Sequence, residues 1–155
     1  VILVDFPDPN SPELAKLYST LFYERLKKKL AVTGVFIQQS SSPAFAKEAY
    51  LTIGRTMRSV GLAAYPYHDN VPTFGEWGWW IGGHPHVFSQ EHVNSLKMKQ
   101  NLLPKGVKTR YINSAVIQRN FLFGKDQLEA TYKGINTLTT PVVYDYYLEG
   151  WQRHY

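Results

Sequence analysis

The sequence predicts an α/β fold in which two strand–helix units lead into an antiparallel pair of strands. Short apolar runs open the chain at residues 1–4 and recur at 35–39, and an amphipathic helix pattern follows each of them. Two further strand patterns, at 62–68 and 77–81, flank a turn rich in Asn, Pro and Gly. Parallel strands need a helical crossover whereas antiparallel strands need only a short turn, so this order predicts one mixed sheet.

The first strand pattern ends in a turn that carries two carboxylates, Asp5 and Asp8. Pro7 and Pro9 restrict the backbone around them, which limits how far the two side chains can separate. Ligands of α/β sheets bind just beyond the carboxyl ends of the strands, where an acidic pair can hold an ammonium group or supply a base. The same residues are ordinary turn formers, so the pair alone also permits a purely structural interpretation.

A helix is predicted after the acidic turn, with Ser11 as its N-cap and Pro12 at its first position. We expect a single helix that ends near residues 30–31. Its apolar face comprises Leu14, Leu17, Tyr18, Leu21, Phe22 and Leu26. The chain carries a net charge of +5, but the one cluster of cations, at 27–29, lies at the end of this helix. Cations there interact favourably with the helix dipole, so nucleic acid is not an expected partner.

The second strand pattern, 35–39, ends in two amides and is followed by a serine run and a proline at 40–43. This repeats the cap-and-proline pattern and predicts a helix from there to Val60, with Gly61 as its stop. The serines lack the flanking glycines of a nucleophile elbow, so we interpret them as capping residues rather than catalytic ones.

The two strand–helix units and the terminal strand pair together are typical of the second half of a Rossmann-like sheet. After it, residues 84–110 are polar and irregular in pattern, and short helices are predicted at about 114–120 and 141–152. We therefore expect two parts: residues 1–83 as the second half of a catalytic domain, and residues 84–155 as an extension packed on it.

Composition excludes several classes of protein. Of 155 residues, 44% are hydrophobic and 19% are charged, which excludes a disordered chain. No apolar run approaches the length of about 18 residues that a membrane helix needs. There are no cysteines, which excludes disulfides and thiolate metal sites. His84 and His86 lack a third ligand at metal-site spacing, so no metal is expected. The chain opens at Val1 inside a buried-strand pattern, which favours a piece of a larger protein.

Four stretches in register carry a resemblance to a known family. They are VDFPDPN at 4–10, FIQQSSSP at 36–43, YHDNVPTFGEWGW at 67–79 and GINTLTTPVVYDYYLEGW at 134–151. These resemble the aminopropyltransferases, the spermidine synthase family, and in particular the bacterial branch whose catalytic domain is fused to membrane-spanning helices. The resemblance implies a methyltransferase-type Rossmann-like fold. It covers only the carboxyl-terminal half of that catalytic domain, without the glycine-rich loop that holds the donor.

The resemblance also assigns roles. Members of the family transfer an aminopropyl group from decarboxylated S-adenosylmethionine to an amine such as putrescine, and release methylthioadenosine. Asp5 matches the base that receives a proton from the attacking amine, and Asp8 matches a carboxylate that holds the acceptor. Gln39 matches a glutamine near the acceptor amine. Gln38 is the weaker candidate, because strand alternation directs it to the opposite face.

One matched position departs from the family pattern. Phe74 stands where many spermidine synthases carry a tyrosine that contacts the acceptor. The missing hydroxyl leaves the identity of the amine open. Glu76 and Trp77 are candidates to compensate, through charge or a cation–π contact. The tryptophans of this strand also have a simpler interpretation as packing residues.

For the whole protein, the resemblance implies an enzyme of polyamine biosynthesis that needs no cofactor besides its co-substrate. It implies a small-molecule polyamine as ligand and a place on the cytoplasmic side, with an upstream membrane-spanning region as a further expectation. If the first half of the sheet is absent, the strand at residues 1–4 lacks a neighbour, so we expect a homodimer that covers this edge or the aromatic face of the last helix. We expect this chain by itself to be inactive. The alternative is a non-catalytic binding or assembly module that keeps the fold.

Overall fold

A computed structural model describes residues 1–153 and shows one four-stranded sheet with the order β1-β2-β4-β3. β1 and β2 are parallel, whereas β4 is antiparallel to both β2 and β3. This confirms the predicted α/β fold class. The elements are β1 (Ile2–Val4), α1 (Pro12–Ala15), α2 (Thr20–Lys29), β2 (Val35–Gln39), α3 (Lys47–Ser59), β3 (Ala63–Val71), β4 (Gly75–Gly83), α4 (Gln90–Met98), α5 (Ser114–Arg119) and α6 (Val142–Gln152).

One face of the sheet forms the core. Along β2 the side chains of Phe36 and Gln38 are fully buried, in keeping with the period of two along a strand. In β4, Trp80 is buried against α3, and its indole Nε1 donates to the carbonyl of Tyr50 at 2.9 Å. The approach is close because Gly54 has no side chain: a Cβ there would lie 2.2 Å from the Trp80 ring.

The first predicted helix is correct in its cap but wrong in its continuity. Ser11 Oγ accepts from the Leu14 amide at 3.2 Å, as expected of an N-cap. The helix then tightens into a 3₁₀ turn and stops at Ser19, whose extended backbone caps α2 as a separate helix. The Thr20 amide bonds to the carbonyl of Asn136 instead of an intrahelical partner. A contact with a distant segment therefore supports the break, and local pattern cannot reveal it.

The second helix begins later than predicted. Ser42 Oγ accepts from the amides of Ala44 and Phe45, at 3.2 and 3.1 Å, and so caps a turn rather than the helix. α3 itself begins at Lys47 without a side-chain cap. Its end agrees with the prediction, since Gly61 adopts φ +78° just beyond it.

The extension beyond the sheet contains more helix than predicted. Within the region expected to be irregular, Ser89 Oγ accepts from the His92 amide at 3.2 Å and starts α4. α5 and α6 lie where the sequence predicts them. Asn136 joins the extension to the core: its side chain donates to the Ala15 carbonyl at 2.8 Å and accepts from the Val143 amide at 3.2 Å. Among residues 1–153 no helix has the length and hydropathy to cross a bilayer.

Candidate functional site

The acidic turn lies at the carboxyl end of β1, and its second carboxylate is held by two neutral donors. Asp8 Oδ1 accepts from Gln39 Nε2 at 2.9 Å, and Asp8 Oδ2 accepts from Ser41 Oγ at 3.1 Å. Gln39 is the last residue of β2, the strand next to β1, and Ser41 lies two residues beyond it. The donors fix the orientation of Asp8 without neutralising its charge, and a carboxylate has about four lone-pair sites, so it can still accept from a ligand.

Tyr18 contacts the same turn from the core of the protein and holds it in place. Its side chain is fully buried and its hydroxyl donates to the carbonyl of Pro7 at 2.8 Å, between the two aspartates. Burial raises the pKa of Tyr18, and the nearby charges of Asp8 and Asp5 raise it further. The hydroxyl therefore stays protonated and remains a donor. The sequence pattern placed Tyr18 on an apolar face and gave no sign of this polar role.

Ser41 is the second residue that sequence reasoning missed. Ser41 is fully buried. Among residues 1–153 it is the only residue other than glycine with a positive φ, which is 65°. Its carbonyl accepts from the Gly78 amide at 2.8 Å, and the adjacent Ser40 amide donates to the Gly78 carbonyl at 2.9 Å. These bonds hold a backbone conformation that is costly for serine. They also direct the Ser41 hydroxyl to Asp8.

A cavity of about 410 Å³ opens beside the acidic turn. It is lined by Leu3, Val4, Asp5, Ile37, Gln39, Val71, Phe74, Trp77 and Trp79. The structure thus brings together Asp5, Gln39 and the aromatic residues of the 72–77 loop, which comprises the turn between β3 and β4 and the first residues of β4. Its walls are apolar, and no cationic side chain of the described chain lines it.

Two polar groups at this cavity have capacity for a ligand. Gln39 uses its Nε2 for Asp8, while its Oε1 is buried and has no hydrogen-bond partner within residues 1–153. The Asp5 side chain is exposed and forms no hydrogen bond or ion pair with any described residue. A buried acceptor without a partner costs free energy that a ligand N–H can recover. Both groups are acceptors, so they suit a donor such as an amine.

Glu76 does not join the other candidates. Along β4 its side chain points to the face opposite Trp77, as alternation requires. Its carboxylate contacts His68 Nδ1 at 2.9 Å and accepts from Gln127 Nε2 at 3.1 Å. The expectation that Glu76 compensates for Phe74 therefore has no geometric support, whereas Trp77 and Phe74 lie together with ring centroids 5.2 Å apart.

No group of three or more His, Cys, Asp or Glu side chains within the described chain could hold a metal ion. The rings of His84 and His86 stack at 5.5 Å, and His84 Nε2 lies 3.3 Å from the Leu30 carbonyl. Each of these two histidine rings is therefore held by contacts within the protein.

The cavity combines an unpaired carboxylate, an amide oxygen and apolar walls. Together these groups can desolvate and deprotonate an amine.

The chain is similar in sequence to known proteins of one family. Residues 1–99 match the model of the spermine/spermidine synthase domain. A polyamine aminopropyltransferase of Leptospira interrogans is 35% identical over 154 residues, covering 99% of this chain and 28% of that protein. Polyamine aminopropyltransferase 2 of Aquifex aeolicus is 35% identical over 148 residues, covering 94% of this chain and 27% of that protein. The relative from Shewanella oneidensis is 46% identical over 80 residues.

The chain spans little more than a quarter of the length of these relatives. The family match nevertheless extends over the acidic turn, both strand–helix units and the 72–77 loop, which are the elements that build the cavity. On this basis the chain belongs to the spermine/spermidine synthase family.

Proposed function

We propose that this chain carries the acceptor-binding and catalytic-base half of a polyamine aminopropyltransferase. The observation that carries the proposal is the meeting of Asp5 and Gln39 in one cavity, beside the oriented carboxylate of Asp8. Homologues named polyamine aminopropyltransferase support the reaction class. The proposed acceptor is a polyamine such as putrescine, and the donor is decarboxylated S-adenosylmethionine.

In the proposed reaction, the amine nitrogen forms a bond to the propyl carbon next to the sulfonium. The carbon–sulfur bond breaks, its electron pair returns to sulfur, and methylthioadenosine leaves. Asp5 takes the proton that the attacking nitrogen loses, because its carboxylate faces the cavity without a partner in the described chain. Gln39 Oε1 orients the attacking amine, and Asp8 attracts the positive charge of the acceptor's other amine.

In the proposed enzyme, the two parts of this chain have different roles. Residues 1–83 supply the acceptor half of a Rossmann-like catalytic domain, and residues 84–155 form an extension packed on it. The motif at 134–151 supports membership of the membrane-fused branch, and hence a place on the cytoplasmic side with attachment through a region outside this chain. The donor site would then lie outside this chain, so the chain alone is expected to bind amines but not to turn over.

Amine binding by the isolated chain tests the proposal. Calorimetry should show weak binding of putrescine and spermidine that weakens with salt, and no binding of methylthioadenosine. Asp5→Asn should weaken amine binding about tenfold or more, since a charge-assisted hydrogen bond contributes about 1.5–3 kcal/mol. Glu13→Gln is the matched control, because it removes an exposed negative charge outside the cavity. Equal effects of the two substitutions would contradict the proposal.

A second candidate function, a non-catalytic assembly module, has one specific observation in its favour. β1 is an edge strand of the sheet; Leu3 on it is 74% exposed, and Val1, which precedes it, is 86% exposed. An exposed apolar edge is a template for pairing with another chain. The same edge supports the proposal of a homodimer. Light scattering over a concentration series tests both, and Leu3→Lys should shift the chain to monomer if this edge is the interface.

A further inference from the structure

A second chamber adjoins the first cavity, and most of its walls have no role in the reaction proposed above. Its volume is about 470 Å³, and it shares Phe74 and Trp77 with the cavity that contains Asp5. Its other walls include Asp8 and, from distant parts of the chain, Phe45, Tyr147 and Trp151. Volumes of about 300–1,000 Å³ are typical of sites that hold small molecules.

The aromatic walls of this chamber are held by tertiary packing. Trp151 on α6 stacks on Phe45, with ring centroids 5.2 Å apart and an angle of 22° between the planes. α6 can approach this closely because Gly150 has no side chain: a Cβ there would lie 2.6 Å from the Phe45 carbonyl oxygen. Tyr147, one turn earlier on α6, lies 6.1 Å from Trp151 between ring centroids. The rings therefore form a preorganised surface.

The charge of the chamber selects for cations. Asp8 is the one charged residue among its lining residues in the described chain, and no lysine or arginine lines it. Gln39 and Ser41 orient the Asp8 carboxylate but are neutral, so its negative charge is retained. Aromatic faces attract ammonium groups, and alkyl chains pack on the same faces. A carboxylate among five aromatic side chains thus matches an alkylammonium group better than a neutral or anionic ligand.

We propose that this chamber binds the alkylammonium arm of the acceptor that extends beyond the reacting amine. The inference rests on the proposed function and deepens it: the acceptor is a linear amine with a cationic group beyond the diamine length, such as a triamine. Phe45, Tyr147 and Trp151 then determine acceptor length. Asp5 and Gln39 handle the reacting nitrogen in the first cavity, and Asp8 faces the arm.

Thr73 provides a sharp test because it lines the chamber, is exposed, and lies in a loop. Thr73→Lys places a cation in the chamber without altering the packed rings, and Thr73→Gln is the control of similar length without charge. Trp151→Leu removes a ring and is informative if its thermal unfolding remains cooperative. Putrescine, spermidine and the neutral 1,4-butanediol are titrated into the intact 155-residue chain, with binding followed by calorimetry and tryptophan fluorescence.

The expected result is that spermidine binds about tenfold more tightly than putrescine, that Thr73→Lys removes this advantage, and that Thr73→Gln retains it. Trp151→Leu should reduce spermidine binding more than putrescine binding, and butanediol should not bind. The inference is overturned if Thr73→Lys and Thr73→Gln behave alike, or if Thr73→Lys weakens both amines equally. It is also overturned if neither amine binds.

The Asp5→Asn variant separates the two proposals. If Thr73→Lys weakens spermidine while Asp5→Asn changes neither amine, the chamber stands and the assignment of the acceptor site fails. If Asp5→Asn weakens both amines and the chamber variants have no selective effect, the acceptor site stands and the chamber fails.

Discussion

Removal of the Tyr18 hydroxyl tests whether the acidic turn depends on its buried anchor. Tyr18→Phe keeps the ring, which packs edge-on against Phe6 with centroids 6.2 Å apart, and deletes the 2.8 Å bond to the Pro7 carbonyl. Pro7 is exposed, so water can replace the lost donor. The expected loss in free energy of unfolding is therefore about 1 kcal/mol, the net value of a hydrogen bond, rather than the larger cost of a buried orphan.

For a domain of this size, a loss of that magnitude lowers Tm by about 2–4 °C. The effect on ligand binding should be more specific. The Pro7 carbonyl lies between Asp5 and Asp8 in the chain, so its release lets the two carboxylates move relative to each other. We expect putrescine affinity to fall several-fold while Gln39 and Ser41 still hold Asp8. Urea unfolding and calorimetry on the same samples measure both effects.

Tyr23→Phe is the matched control. Tyr23 is also fully buried, but its hydroxyl interacts with the Gln38 side chain rather than with the acidic turn. Its removal should therefore leave amine binding unchanged, whatever it costs in stability. If Tyr18→Phe lowers amine affinity no more than Tyr23→Phe does, the Tyr18 hydroxyl does not position the turn.

Three further substitutions probe the packing around the site. Gly54→Ala forces a Cβ to within 2.2 Å of the Trp80 ring and should cost about 1–3 kcal/mol in urea unfolding; unchanged stability would contradict the close packing. Asp69→Asn removes the ion pair with Arg119 and should increase proteolysis of the 109–120 segment, with mass spectrometry locating the cuts. Burial raises the pKa of Tyr67 from 10.0 to about 12. The protonated Tyr67 phenol contributes stability below about pH 10, and this contribution is lost as the pH rises toward 12. The urea midpoint of the unmodified chain should therefore fall over this pH range, and that of Tyr67→Phe should fall less steeply.

The strands and the acidic turn could be predicted from sequence because their signals are local. Four strand patterns, the Ser11 cap and the Gly61 stop each involve residues only a few positions apart. The pairing of β1 with β2 followed from the intervening helix, and the β3–β4 pairing from the short turn. The residues that determine each of these features are close together in the sequence, so the features can be predicted from it.

The features that were missed depend on distant partners. The break at Ser19 accompanies a bond to Asn136, more than a hundred residues away. The role of Tyr18 requires the Pro7 carbonyl, and the role of Phe45 requires Trp151 on the last helix. The serine run at 40–42 indicates helix capping because serine is a frequent cap, whereas the positive φ of Ser41 is visible only in the structure. Local periodicity contains no information on such contacts.

The sheet topology explains why the candidate site residues all lie at one end of the strands. β2 has a parallel neighbour on one side and an antiparallel neighbour on the other. The carboxyl ends of β1 and β2 therefore lie beside the beginning of β4, which brings Asp5, Gln39 and Trp77 to the same end of the strands. In a purely parallel sheet the next strand would begin at the opposite end, and the 72–77 loop would then lie far from the carboxylates.

Register along β2 decides which of the two glutamines takes part. Gln38 pairs with Val4 and Trp80 and is fully buried, while Gln39 pairs with Trp79 and reaches Asp8. A slip of one residue would exchange their faces. The buried amide of Gln38 interacts with the Tyr23 hydroxyl inside the core. Phe36 fixes this choice, because the same slip would turn its fully buried ring out of the core. The apolar core thereby determines which amide reaches Asp8 and the cavity.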